Sequence, residues 1–281
     1  MHAEIHGNNQ VIAAIAICVS TNLLCSSGHT LMCMPYHSSS RSDWYVPPLY
    51  ASAEDCVCVC FEQGISKLYR PQDMGFNPNA GPLLYENETK HSVVVNGNRR
   101  SGMVALDMGV QKAIEKAAAT GVAVVGTYNA CTSTGMLAYY AHRIAAEGNI
   151  AIVMAGSPEM VTPVGGKNAI FGTNPLCIAI PGPADGPVVL DMATAATTLF
   201  GTISTKAAGK QLPAGVAVDA AGKPTTDPDE ALKGAFLAFG SYKGAGLSLM
   251  IELLTQALRY ANSCWVSLGQ IGLFGQTVGV L

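Results

Sequence analysis

Five polar or glycine-rich blocks punctuate short apolar runs between residues 161 and 251. They are Thr162-Pro163-Val164-Gly165-Gly166, Gly172-Thr173-Asn174-Pro175, Asp191-Met192-Ala193-Thr194, Pro224-Thr225-Thr226-Asp227-Pro228 and Ser241-Tyr242-Lys243-Gly244-Ala245-Gly246-Leu247. Their residue types suit ligand binding. Gly165-Gly166 lets backbone approach a ligand closely, because no Cβ intervenes. Asp191 follows the apolar run Val188-Val189-Leu190, and α/β folds place ligands at strand ends; it serves equally as a cap or turn residue. Lys243 is the sharpest single residue. It opens an apolar helix, where a lysine can donate to a phosphate or ribose while the helix dipole adds to the attraction for an anion. The competing reading is a solvated first-turn lysine, which the same dipole disfavours. Gly172–Pro175 reads better as a structural turn before a strand. Pro224–Pro228 reads as a rigid turn, with Asp227 able to cap the next helix. No G-x-G-x-x-G follows a strand anywhere in the chain, so a Rossmann arrangement is not expected.

Composition narrows the functional classes. The chain has 281 residues, enough for one large domain or two smaller ones. Charged residues make up 12%, against about 25% in a typical globular domain. The formal net charge is −3 and the mean hydropathy is +0.28. A nucleic-acid binder would need clustered Lys and Arg, so none is expected. The balance suits an α/β enzyme with buried strands or an oligomer with apolar interfaces. Of nine cysteines, Cys18, Cys25, Cys33, Cys56, Cys58 and Cys60 lie in the first sixty residues and none forms a C-x-x-C pair. They read as buried thiols, not as metal ligands or a disulfide scaffold. Residues 11–25 are mostly apolar, but a membrane span needs about 20 such residues. Residues 1–10 hold no Lys or Arg, so an export signal is not expected and a cytoplasmic location is.

The elements that must position these blocks become regular from residue 61. Residues 1–60 carry only Glu4, Arg41, Asp43, Glu54 and Asp55 as charges. Beyond that point the spacing predicts a helix over 107–120, stopped by Gly121, and a strand over 122–125. A second helix, capped by Thr132 or Ser133, runs to Glu147 and stops at Gly148. Its apolar stripe is Leu137, Tyr140, Ala141 and Ile144. Strands are expected at 150–154, 176–180 and 187–190, a short helix at 230–236 and a long one at 243–260. That last helix is apolar on most sides, which places it centrally or at a subunit interface. Strands alternating with helices indicate an α/β fold.

In this order the blocks resemble the malate/L-lactate dehydrogenase family of the type-2, non-Rossmann kind, which includes ureidoglycolate and sulfolactate dehydrogenases and cyclic-imine reductases. The resemblance covers about residues 62–260 and leaves 1–61 and 261–281 as divergent segments. It implies an α/β fold with a mixed sheet and flanking helices, and a homodimer. It further implies an oxidoreductase moving a hydride between NAD or NADP and a small 2-hydroxy or 2-oxo acid. By resemblance, Ser157, Asp191, Met192, Ala193 and Lys243 bind the cofactor, and no metal is involved.

The catalytic half departs from the family pattern. Where the family carries Ser-His-Gly-(Val/Ile)-x-Arg, this chain has Glu62-Gln63-Gly64-Ile65-Ser66-Lys67-Leu68, followed by Gly75-Phe76-Asn77-Pro78. Gln63 thus replaces a histidine and Lys67 an arginine; Ser133 replaces a second histidine. Lys67 can hold a carboxylate as a point charge but not as a bidentate fork. Gln63 can donate a hydrogen bond but cannot deliver a proton, and Ser133 is a poor acid. Losing a general acid costs about 10²–10⁴-fold in rate. An alternative reading is therefore a catalytically impaired relative that keeps nucleotide binding or a subunit-partner role. Thr132, Ser133 and Thr134 also suggest an anion site at a helix start for a substrate carboxylate. His142 reads as a solvated helix residue, and Tyr139 and Tyr140 as core or interface.

Overall fold

The computed structural model describes residues 12–20, 79–131, 133–182 and 186–259. Its centre is a seven-stranded sheet in the order β2-β3-β4-β1-β5-β6-β7. The strands are β1 (Ile12–Ser20), β2 (Leu84–Glu86), β3 (Ser92–Asn96), β4 (Val122–Ala130), β5 (Asn149–Ala155), β6 (Leu176–Ile180) and β7 (Val188–Met192). β3 and β4 run parallel, while every other pairing is antiparallel. The sheet is mixed, as expected. The apolar stretch near the N-terminus supplies its middle strand: β1 lies between β4 and β5, antiparallel to both.

Helix α1 (Gly102–Thr120) begins five residues before the expected start, because Ala105, Leu106, Gly109, Val110, Ala113 and Ala117 continue one buried face. It ends at Gly121 in a left-handed conformation (φ 84), a common helix stop. Helix α2 (Leu137–Ala146) departs more from expectation. It starts after Met136, not at Thr132 or Ser133, and Met136 offers no side-chain cap. Gly135 at φ 76 breaks the helical path, and the Ser133 hydroxyl accepts from the Gly135 amide at 3.0 Å instead of capping a helix. β4 extends to Ala130, five residues past the predicted end.

The remaining elements are α3 (Leu199–Ala207), β8 (Ala217–Val218), α4 (Pro228–Lys233), β9 (Ala235–Phe236) and α5 (Tyr242–Arg259). The predicted helix over 230–236 divides into α4 and the strand β9, which pairs with β8. Asp227 caps α4 as expected, its carboxylate accepting from the Asp229 amide at 2.8 Å. The long helix matches its expected span within a residue at each end.

Three apolar clusters hold the chain together. The largest joins one sheet face to α1 and α2 and includes Leu106, Val125, Leu137, Ile144, Val153, Cys177 and Ala179. A second surrounds the β8–β9 pair with Val161, Phe171, Leu212 and Phe236. The third lies on the opposite sheet face, where Ile251 and Leu247 of α5 cover Met154, Ile152 and Leu176. Among the described residues no helix is long and apolar enough to cross a membrane. No group of three or more His, Cys, Asp or Glu among them gathers as a metal site. Cys131 and Cys177 are buried; Cys56, Cys58 and Cys60 lie outside the described residues.

Leu106 is 1% exposed, wedged between α1 and the sheet. Leu106→Ala is expected to cost about 2–5 kcal/mol of stability, the range for a large buried truncation. Urea unfolding measures this, and a loss below about 1 kcal/mol would remove Leu106 from the closely packed core.

Candidate functional site

Asn174 stands in the turn before β6, fully buried, with a left-handed backbone (φ 33) that asparagine tolerates better than most residues. Its side-chain oxygen accepts from the Ser157 amide at 3.0 Å. Its Nδ2 donates to Glu252 Oε2 at 2.8 Å, and to the Ser248 hydroxyl and carbonyl at 3.0 and 3.2 Å. Its own amide donates to Ser157 Oγ at 3.2 Å, and its carbonyl accepts from Thr194 Oγ1 at 3.0 Å. The segments after β5, before β6 and after β7 therefore meet helix α5 at one residue. The bond to Glu252 is charge-assisted and so among the stronger ones.

A chain of hydrogen bonds carries this junction to Gly244, the residue after Lys243. The Ser157 and Thr173 hydroxyls lie 3.1 Å apart. The Thr194 amide donates to the Thr173 carbonyl at 2.9 Å, and the Phe239 amide to the Thr194 carbonyl at 3.0 Å. The Gly244 amide then donates to the Phe239 carbonyl at 3.1 Å. Two glycines permit these approaches. A Cβ on Gly172 would overlap the Ser157 carbonyl and the Asn174 side chain, and one on Gly244 would overlap the Phe239 carbonyl.

The sequence-expected residues do not all come together. Ser157 is a member of the chain just described, Ala193 and Lys243 are only sequence neighbours of its members Thr194 and Gly244, and Lys243 is exposed on the first turn of α5. Met192 pairs with Leu176, so its side chain shares the sheet face that α5 covers. Asp191 pairs with Cys177 and points to the opposite face, towards α2. There Asp191 Oδ2 accepts from the Ala138 amide at 2.8 Å. The two readings of Asp191 were a ligand contact and a cap or turn residue, and one of its contacts is a cap on α2. Gln63 and Lys67 lie outside the described residues, as does Thr132.

Ser133 is described, four residues ahead of α2, in a loop braced by Tyr140, whose hydroxyl donates to the Thr134 carbonyl at 2.7 Å. An anion site formed by residues 132–134 at a helix start is corrected here. The helix begins only at Leu137, and a first-turn amide already bonds the Asp191 carboxylate. Tyr140 is core, 3% exposed, as expected. Tyr139 is more open, stacks edge-on against it and lies under the Arg143 guanidinium. His142 on α2 is half-buried, not fully solvated.

Thr173 and Thr194 belong to blocks picked out in the sequence but were given no role of their own, and Ser248 and Glu252 were not singled out at all, yet the four build the junction. One signal was available. Ser248 and Glu252 stand four apart within the mostly apolar run 247–254, so they share a face, and a paired polar stripe in such a run marks a buried partner.

The sequence profile of the malate/L-lactate dehydrogenase family matches residues 68–270, and the chain belongs to this family. It is 40% identical over 178 residues to L-sulfolactate dehydrogenase of Methanothermobacter thermautotrophicus, covering 63% of this chain and 52% of that protein. It is 39% identical over 183 residues to Delta(1)-pyrroline-2-carboxylate reductase 2 of Burkholderia multivorans, covering 65% and 53%. Among solved structures, sulfolactate dehydrogenase from Methanocaldococcus jannaschii superposes with a TM-score of 0.57 at 36% identity, covering 70% of this chain and 55% of that one. Delta1-piperideine-2-carboxylate reductase from Pseudomonas syringae gives 0.61 at 31% identity, covering 68% and 57%. These likenesses agree with the α/β assignment. The chain spans about half the length of the curated relatives it matches.

Asn174→Ala is expected to destabilise the protein by about 2–4 kcal/mol, since it strands several buried groups and strains a left-handed backbone. Asn174→Gly relieves the backbone and keeps the loss of bonds. Denaturant unfolding of both distinguishes the causes: a glycine variant as stable as the native protein would show that the hydrogen bonds contribute little.

Proposed function

We infer that the chain binds NAD(H) or NADP(H) and takes part in hydride transfer with a small 2-hydroxy acid, 2-oxo acid or cyclic imino acid. The observation that carries this is the hydrogen-bonded chain from Ser157 through Thr173, Thr194 and Phe239 to Gly244, which ties the strand ends to the helix bearing Lys243. Membership of the family supports it, as do relatives named as sulfolactate dehydrogenases and pyrroline-carboxylate reductases.

The donor set fits a phosphate-bearing dinucleotide. Ser157 and Thr173 offer adjacent, part-buried hydroxyls. Gly246 exposes helix backbone, and a Cβ there would meet nothing within 4 Å. Lys243 adds an exposed ammonium at the positive end of α5. Ser157, Met192, Ala193 and Lys243 would hold the cofactor, with Asp191 at the same strand end. When bound, the nicotinamide supplies or accepts the hydride. Lys67 would hold the substrate carboxylate, and Gln63 and Ser133 would lie near the reacting oxygen as hydrogen-bond donors. None of the three is a strong proton source, so turnover is expected to be slow.

A second reading is favoured by Ser133 standing where the family has a histidine: a relative that binds the nucleotide but is catalytically impaired. We further propose a homodimer in the cytoplasm, acting on small molecules and not on nucleic acid. Ile180, Val188 and Leu190 on β6 and β7, and Met250 and Leu254 on α5, leave apolar surface that a second subunit would cover.

Titration of the purified protein with NADH and NADPH is expected to show micromolar binding to at least one of them. Lys243→Ala is expected to weaken that binding about tenfold or more, the loss of a charge-assisted contact. Nicotinamide absorbance with a panel of 2-oxo and cyclic imino acids then separates the two readings: oxidation of NAD(P)H supports the dehydrogenase, and binding without turnover supports the impaired relative. Folded protein that binds neither nucleotide would remove both.

A further inference from the structure

The geometry points to Asp191 as a positioning residue, whose carboxylate on strand β7 caps α2 and so couples the cofactor edge to the Ser133 loop. This inference deepens the nicotinamide reading above and rests on it.

Three observations converge. Helix α2 has no cap of its own: Met136 precedes it and donates no side chain to its amides. The first amides of a helix have no partner within it, and Ala138 is the second helical residue. The Asp191 carboxylate bonds its amide at 2.8 Å, fifty-three residues away in sequence. The carboxylate also faces the positive end of the helix dipole, where a negative charge is stabilising. Finally, register turns the Asp191 side chain to the α2 face while its neighbour Met192 turns to the α5 face. Two successive strand residues thus serve opposite sides of the sheet.

What the cap holds matters for the reaction. The residues before α2 are Ser133, Thr134, Gly135 and Met136. They are fastened at one end by Tyr140, which donates to the Thr134 carbonyl, and at the other by the Asp191 cap. The Ser133 hydroxyl is itself turned inward to the Gly135 amide. Met192 and Ala193, which would hold the cofactor, directly follow Asp191 at the end of β7, so a ligand held there would order that strand end. Ordering that strand end orders the start of α2, and with it the loop bearing Ser133.

The test is amide exchange in the full-length protein, followed at Ala138 and over residues 133–140, with and without saturating NADH. Asp191→Ala is expected to speed exchange at Ala138 about tenfold or more, as a charge-assisted bond is lost. Asp191→Asn keeps an acceptor oxygen at the same reach and is expected to stay within about threefold of the native rate. NADH is expected to slow exchange over 133–140 in the native protein and in Asp191→Asn, but not in Asp191→Ala; a purely structural cap would not produce that difference. Unchanged exchange at Ala138 in Asp191→Ala overturns the inference, and so does equal slowing by NADH in all three proteins. If Asp191→Ala does not fold, Asp191→Ser shortens the reach while staying polar, and the same two comparisons decide. If NADH fails to bind the native protein, the nicotinamide reading falls, while the cap stands or falls on the comparison made without nucleotide.

Discussion

The buried amide of Asn174 is the constraint on which the rest of the site depends. Three strand-linked segments and one helix approach the same point, and each brings backbone groups that need partners out of water. One planar amide with an acceptor on one side and donors on the other satisfies them together. An apolar side chain there would leave the Ser157 amide, the Ser248 hydroxyl and the Glu252 carboxylate without this partner, and buried polar groups left unpaired are costly. Its backbone amide and carbonyl add the bonds to Ser157 and Thr194. The left-handed backbone that aims the side chain explains why the turn accepts asparagine readily.

The sheet converts this local junction into a site with two sides. α5 covers Leu176, Met154 and Ile152, while α1 and α2 cover Cys177, Ala179 and Val153. Strand alternation then distributes the Asp191-Met192 pair between them. The lysine-bearing helix lies on one side, and the loop bearing Ser133 is governed from the other. A residue pair that looks like a single binding motif places its two side chains on opposite faces of the sheet, each towards a different helix.

Much of the architecture was legible in the residues. Leu176–Ile180 is a strand with the predicted ends, Asp227 caps the helix after it, and the long helix opens at Tyr242 beside Lys243. These features depend on local periodicity, capping and helix stops, which neighbouring residues decide. Where α2 begins was not legible. A run of Thr132, Ser133 and Thr134 suits a helix cap by composition, but Gly135 adopts a left-handed conformation and a carboxylate from a distant strand supplies the cap instead. The short strand β9 within a helix-like stretch likewise depends on its partner β8. The apolar stretch at residues 11–25 showed no more than that it was too short for a membrane; its place in the middle of the sheet depends on β4 and β5.

By itself the sequence determined the kinds of elements and the family to which the chain belongs, and it offered candidate residues for a phosphate-bearing ligand. Those properties follow from side-chain chemistry, periodicity and short motifs, all of them local. Only the tertiary structure decided which of those residues meet. Asn174, read as part of a turn, became the junction; Ser248 and Glu252 became its partners; Asp191 was turned away from Lys243 and onto α2. The physical reason is that strand register assigns each side chain to a face, and the bonds that matter here join residues dozens of positions apart, whose encounter no local pattern encodes.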